Sequence, residues 1–153
     1  MKRMQIIRQF VAEMAGMTIA VVNDNEYCAI FSTQGKSSMI GVPEHNLIPE
    51  LKDINTKIFR RDFVSRYSGA RGFANITLVL AHEMGHIKTA DIYYFDEAMR
   101  DADLQMREAV ETQEEYMRIP SEYGATEWAI GWLQDAKNRA LAKRFEKKFF
   151  SAE

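Results

Sequence analysis

The segment that most constrains this chain runs from residue 74 to residue 88. It reads Ile76-Thr-Leu-Val-Leu-Ala81 and then His82-Glu83-Met84-Gly85-His86. The apolar run predicts a buried helix, and polar side chains carried into an interior need partners. Histidines at i and i+4 lie above one another on one helix face, so both imidazoles can bind the same ion. Two of the chain's three histidines fall here. Zinc takes nitrogen ligands at about 2.0–2.1 Å in a tetrahedral shell. Glu83 stands one step round the helix from His82, where its carboxylate can reach a water on the metal without occupying the metal. The HExxH pattern therefore predicts a zinc site with Glu83 as general base. The alternative is a pair of core histidines satisfied by hydrogen bonds alone.

A catalytic zinc normally has three protein ligands and one open position. The remaining histidine, His45, sits in a loop before the helix and reads as a surface residue. No histidine follows in the pattern that metzincins require. A carboxylate is therefore expected as third ligand, and Glu122 is the best candidate. It opens a helix in which Ala125, Ala129 and Leu133 share its stripe, and those small residues would let the helix lie close against the metal helix. Glu127 is the runner-up, although it points roughly 140° away from that stripe. Asp91 and Asp96, soon after the motif, are further candidates for a ligand or an outer partner. Glu122 also has a plain reading, as an acid favoured by the dipole of a first helical turn.

The rest of the chain predicts one α+β domain spanning residues 1–153. Residues 3–15 have helical spacing and stop at Gly16. Thr18–Val22 and Tyr27–Phe31 read as strands joined by Asn23-Asp24-Asn25-Glu26, and Ser38–Val42 reads as a third strand after a turn at residues 33–36. These predict a small antiparallel three-stranded meander. Helices are expected over 50–66, 74–88, 93–117 and 121–149, giving four to five packed with the sheet. Ser38–Val42 is the candidate edge for an extended peptide. Tyr93, Tyr94 and Tyr123 are candidates for polarising a scissile carbonyl, with nothing to choose among them.

Charge is uneven. Acids dominate 91–127 against only Arg100, Arg107 and Arg118, whereas 52–71 and 137–148 are basic. Solvated helix faces that complement one another are expected. No nucleic-acid-binding module is recognisable, so direct nucleic-acid binding is not expected. The acidic 91–118 stretch could cover the cleft as a lid, although nothing in its pattern requires that. Residues after Met1-Lys2-Arg3 include Gln5, Arg8 and Glu13, so no apolar secretion segment is expected. No run reaches the length of a membrane span. With a single cysteine, Cys28, a cytoplasmic protein is expected. Cys28, the nine methionines and the pair Trp128 and Trp132 read as packing residues.

Two pieces of the chain resemble the ImmA/IrrE family of zinc peptidases. One is Ala81-His82-Glu83-Met84-Gly85-His86-Ile87. The other is Glu122-Tyr-Gly-Ala125-Thr126-Glu127-Trp128-Ala129-Ile130. The resemblance implies a zincin-like fold of the gluzincin type, with HExxH on a central helix. It implies zinc held by His82, His86 and Glu122, with Glu83 as general base. It further implies a hydrolase whose substrate is a protein, commonly a DNA-binding repressor in phages and other mobile elements. Thr126 stands where the family usually has Asn or Asp, the Arg-x-Phe lead-in is missing, and the spacer from His86 to Glu122 is long and acidic. Two other functions are to be weighed: a catalytically silent zincin-fold protein that binds a regulatory partner, and a zinc hydrolase acting on a small amide.

Overall fold

The computed structural model describes residues 2–152. Among them are eight α-helices and three strands. Helix α1 (Arg3–Ala15) buries Ile6, Ile7, Phe10, Val11 and Met14 on one stripe and ends at Gly16, whose φ of 75° forms a left-handed cap. Strands β1 (Ala20–Asn23), β2 (Cys28–Ser32) and β3 (Ser37–Val42) follow, and then α2 (Ile54–Arg66) and α3 (Asn75–Lys88). The C-terminal half holds α4 (Ala90–Tyr93), α5 (Glu97–Ala109), α6 (Gln113–Tyr116), α7 (Pro120–Leu133) and α8 (Ala136–Ser151).

Helix α3 runs through the middle and packs against α7, α1, α2 and the sheet. Its residues from Ile76 to Met84 are almost entirely buried. The start of α3 is capped from a distance. Glu146 of α8 accepts the Ala74 amide at 2.7 Å and the Thr77 hydroxyl at 2.6 Å. That carboxylate satisfies an otherwise orphaned N-terminal N–H and sits at the positive end of the helix dipole. On the far side, α1 packs on α8, with Phe10 stacked on Phe145 at 4.2 Å between ring centroids.

The sheet corrects the expected antiparallel meander. Its order is β1-β3-β2, with β1 parallel to β3 and β2 antiparallel to β3. The predicted hairpin between the first two strands is therefore not formed, whereas the turn at 34–36 does join a β2–β3 pair. The reason lies at Gly41. A Cβ there would meet Cys28 Sγ at 2.7 Å and Asp24 Cβ at 2.9 Å. Glycine thus lets residues 24–28 cross the end of β3 closely. The crossing is fixed by the Asp24 amide donating to the Val42 carbonyl at 2.9 Å and by Asn23 Oδ1 accepting the Glu44 amide at 3.1 Å. Strand β3, with Ile40 and Val42 fully buried, takes the centre. Ser38–Val42 is consequently not an edge; β1 and β2 are.

The helix number is also higher than expected. The predicted 93–117 helix is three pieces, because Asp96 and Thr112 act as N-caps, accepting from the Met99 and Glu115 amides. The predicted 121–149 helix breaks at Asp135, which caps α8 through the Lys137 amide. Pro120 occupies the first turn of α7, where its missing N–H costs nothing. Among the described residues no helix is long and apolar enough to cross a membrane. Basic α2 pairs with acidic partners through Arg61–Glu114 and Arg66–Glu127, but no ion pair joins α8 to α5 or α6 among the described residues.

Candidate metal centre

The site forms where α3 crosses α7. Helix α3 presents His82 and His86 one turn apart, their rings perpendicular and 4.8 Å between centroids. Helix α7 presents Glu122 from its first turn. Glu122 Oε1 lies 2.9 Å from His82 Nε2 and 3.1 Å from His86 Nε2. All three residues are at least 95% buried. One ligand atom from each falls within a 4.8 Å group, so the three residues could hold a metal ion. Tetrahedral bonds of about 2.0–2.1 Å separate ligand atoms by about 3.3 Å, which the two nitrogen–oxygen distances approach. Two imidazole nitrogens and a carboxylate oxygen suit a borderline ion.

The side chains behind this group hold it in place. His82 Nδ1 is 2.8 Å from the Thr126 hydroxyl, one turn beyond Glu122 on α7. With a metal on Nε2, Nδ1 would carry the proton and donate to the Thr126 hydroxyl. Thr126 thus contacts His82 on the side away from Glu122. On the other side, Arg107 of α5 donates to Glu122 Oε2, to Ser121 Oγ at 3.0 Å and to the Tyr116 hydroxyl at 3.1 Å. Asp103, one turn earlier on α5, accepts from Arg107 Nε at 2.6 Å and from the Ser121 hydroxyl. Glu122 therefore has one oxygen toward the histidines and one fixed by a guanidinium.

The charges follow this geometry. Burial would raise the Glu122 pKa, but hydrogen bonds from His82 and His86 hold it well below the ordinary carboxylate range. Burial disfavours charging of His86, yet the hydrogen bond and negative field of Glu122 raise its pKa. Arg107 is likewise held charged against burial by Glu122 and Asp103. Glu83 differs. Burial pushes its pKa up, and the fields of His82 and His86 offset only part of that. It is 8% exposed and makes no hydrogen bond among the described residues.

Glu83 lines a cleft of about 550 Å³ together with His82 and Glu122. Residues 25–27, the loop from Pro43 to Asp53, Phe59 of α2 and Gln113, Tyr116 and Met117 form its walls. His45 lies in this wall but outside the ligand group. The acidic stretch covers the site in two ways: α6 closes one wall and α5 backs Glu122.

The other candidates lie elsewhere. Glu127 pairs with Arg66 at 3.1 Å and is largely exposed. Asp91 is exposed, and Asp96 caps α5. Tyr94 stacks on Phe31 at 3.9 Å, Tyr123 lies under the Arg66 guanidinium at 3.6 Å, and Tyr93 packs against Gly124. None of these tyrosines lines the cleft, whereas Tyr116 and Tyr27 do. Trp128 and Trp132 pack on the core, as expected. Sequence reasoning missed Arg107 and Tyr116. No sequence signal marked them: on α5 the apolar Met99, Leu104 and Met106 are exposed while the i,i+4 pair Asp103 and Arg107 faces inward, the reverse of what an apolar stripe predicts. Comparison of the chain with protein-family models, with curated proteins and with solved structures gave no match.

Proposed function

We propose that the chain is a zinc-dependent endopeptidase of zincin-like fold, with zinc on His82, His86 and Glu122. The observation that carries this reading is Glu83: a buried carboxyl without a partner, next to a buried His-His-Glu group and facing a cleft. A structural metal site needs no such base. Zinc bound there supplies Lewis-acid activation of water and of the scissile carbonyl. Glu83 takes the proton from the attacking water and passes it to the leaving amine. Arg107 holds Glu122 Oε2, leaving Oε1 for the metal. Tyr116 accepts from Arg107, so its own proton is free to donate to the oxyanion that develops on the scissile carbonyl.

The substrate in this reading is a protein, and a DNA-binding repressor is the class that the family resemblance implies. An extended segment of it would add to the free edge of β2, whose N-terminal end adjoins the cleft residues 25–27. Metal analysis and two substitutions test the reading. Purified protein supplied with zinc should hold one ion per chain, and His82→Ala should lose it. Glu83→Gln should keep the ion and abolish cleavage of an unstructured protein substrate. A wild-type chain that holds no metal would sink the proposal. A biological effect untouched by Glu83→Gln would instead favour a protein that only binds its partner.

A further inference from the structure

We propose that the cleft selects peptides carrying a lysine or arginine side chain near the scissile bond, and that Glu26 is the carboxylate that recognises it. This rests on reading the cleft as the substrate site.

The walls outside the metal group carry three acids, Glu26, Glu50 and Asp53, and one ammonium, Lys52. Two of the acids are already engaged. Glu50 pairs with Lys52 at 3.0 Å, and Asp53 accepts the Thr56 hydroxyl at 2.9 Å at the start of α2. Glu26 has no hydrogen bond or ion pair among the described residues. Its backbone is nevertheless fixed on both sides. The neighbouring Tyr27 hydroxyl donates to the Leu47 carbonyl, and Cys28 begins the paired ladder opposite Gly41. A free carboxylate on an anchored backbone is a preorganised partner for a cation.

A second observation points to a guest. Glu83, more than nine-tenths buried and equally unpartnered, lines the same cleft. Away from the metal group and Glu83 the walls carry Glu26, Glu50 and Asp53 against Lys52 alone, and this excess of acids attracts cationic side chains and repels acidic ones. A peptide added along β2 passes Glu26 as it enters the cleft, so the selected side chain lies close to the bond that is cut.

Glu26 is exposed, so its pair with a lysine is screened and the expected discrimination is modest, about 5-fold over an uncharged side chain at low salt. Peptide binding to the zinc-loaded Glu83→Gln protein, read by fluorescence anisotropy, measures it without turnover. The probes are alanine-rich octapeptides with lysine, norleucine or glutamate at one central position. The lysine peptide should bind most tightly and the glutamate peptide least. Rising salt should narrow the difference. Glu26→Gln should abolish the lysine preference and Glu26→Lys reverse it, with zinc content unchanged. Equal affinities, a preference that survives Glu26→Lys, or no binding by any peptide would overturn the inference. Its failure is separable from that of the peptidase reading. A wild-type chain that binds the lysine peptide through Glu26 yet cuts nothing keeps the one and loses the other; a chain that cuts all three peptides alike does the reverse.

Discussion

A Cβ at Gly85 would lie 2.2 Å from the carbonyl oxygen of Ala125. Helices α3 and α7 touch backbone to backbone at this point, between the two histidines of one helix and one turn after the glutamate of the other. That approach is what brings Glu122 Oε1 within 3.1 Å of both histidine nitrogens. The obstacle is main chain, which cannot rotate away. Gly85→Ala should therefore part the helices and cost about 3 kcal/mol or more in chemical denaturation, with loss of metal binding. Gly131, also on α7, meets nothing within 4 Å and is the control. Gly131→Ala should stabilise by roughly 0.5–1 kcal/mol. If the two substitutions behaved alike, the close crossing would not be what sets the site.

Arg107 is held to the site by hydrogen bonds and ion pairs, with its guanidinium 5.4 Å from the centre of the Tyr116 ring, and α5 buries Asp103 where other helices bury apolar residues. Arg107→Met should leave Glu122 Oε2 and Asp103 without their donor. Metal affinity, measured by competition with a chelator, should fall about 10- to 100-fold. Arg107→Lys should recover only part, since a single ammonium cannot fork to Glu122, Ser121 and Tyr116 together. Amide exchange over 97–109 should accelerate in Arg107→Met, because few other contacts hold α5 down. Unchanged metal affinity would show that Glu122 needs no support from behind.

Cys28 gives a prediction in pH. Burial, then the charge of Asp24 and the contact of the thiol with that carboxylate at 3.6 Å, push its pKa from 9.0 up to about 12. Alkylation proceeds through the thiolate. At pH 8 the rate should be about 10²- to 10³-fold below that of the unfolded chain, rising about tenfold per pH unit until near 12. The stability sign follows from the same shift. Between 9.0 and about 12 the unfolded thiol ionises and the folded one does not, so folding weakens as pH rises through that window. Asp24→Asn should speed alkylation at fixed pH. A wild-type rate equal to that of the unfolded chain would refute the half-buried, acid-flanked placement.

What was legible in the sequence was what depends on one segment at a time. The bounds of α1 and α3 follow from apolar spacing, and the third member of the metal group follows from the small residues Ala125 and Ala129 beside Glu122. The strands were legible as segments, but their order was not. It depends on Gly41 leaving room for residues 24–28 to cross β3, a relation between positions far apart in the chain. Helix α5 misled for a related reason. Its inward face is polar because it answers a buried glutamate on another helix, so neither Arg107 nor the role of Tyr116 could be read from local periodicity. The tyrosines nearest the motifs in sequence, Tyr93, Tyr94 and Tyr123, were drawn to packing positions instead.

Tyr116 is the residue through which the proposed chemistry can be separated from metal binding. Its hydroxyl accepts from Arg107 and lies in the cleft wall with Glu83 and Glu122. Burial and the negative field of Glu122 raise its pKa, so it stays protonated and able to donate throughout the working range. Tyr116→Phe removes one hydroxyl and no ligand. If the phenol stabilises charge only as the carbonyl is attacked, kcat should fall about 10²- to 10³-fold with KM nearly unchanged, the loss typical of a single oxyanion donor. Zinc content should match wild type, and a neutral substrate-like peptide should bind as before. A tetrahedral phosphinic peptide, which presents the charged oxygen, should bind more weakly in step with kcat. A rise in KM with kcat preserved would reassign Tyr116 to holding substrate, and loss of zinc would make it a support for Arg107.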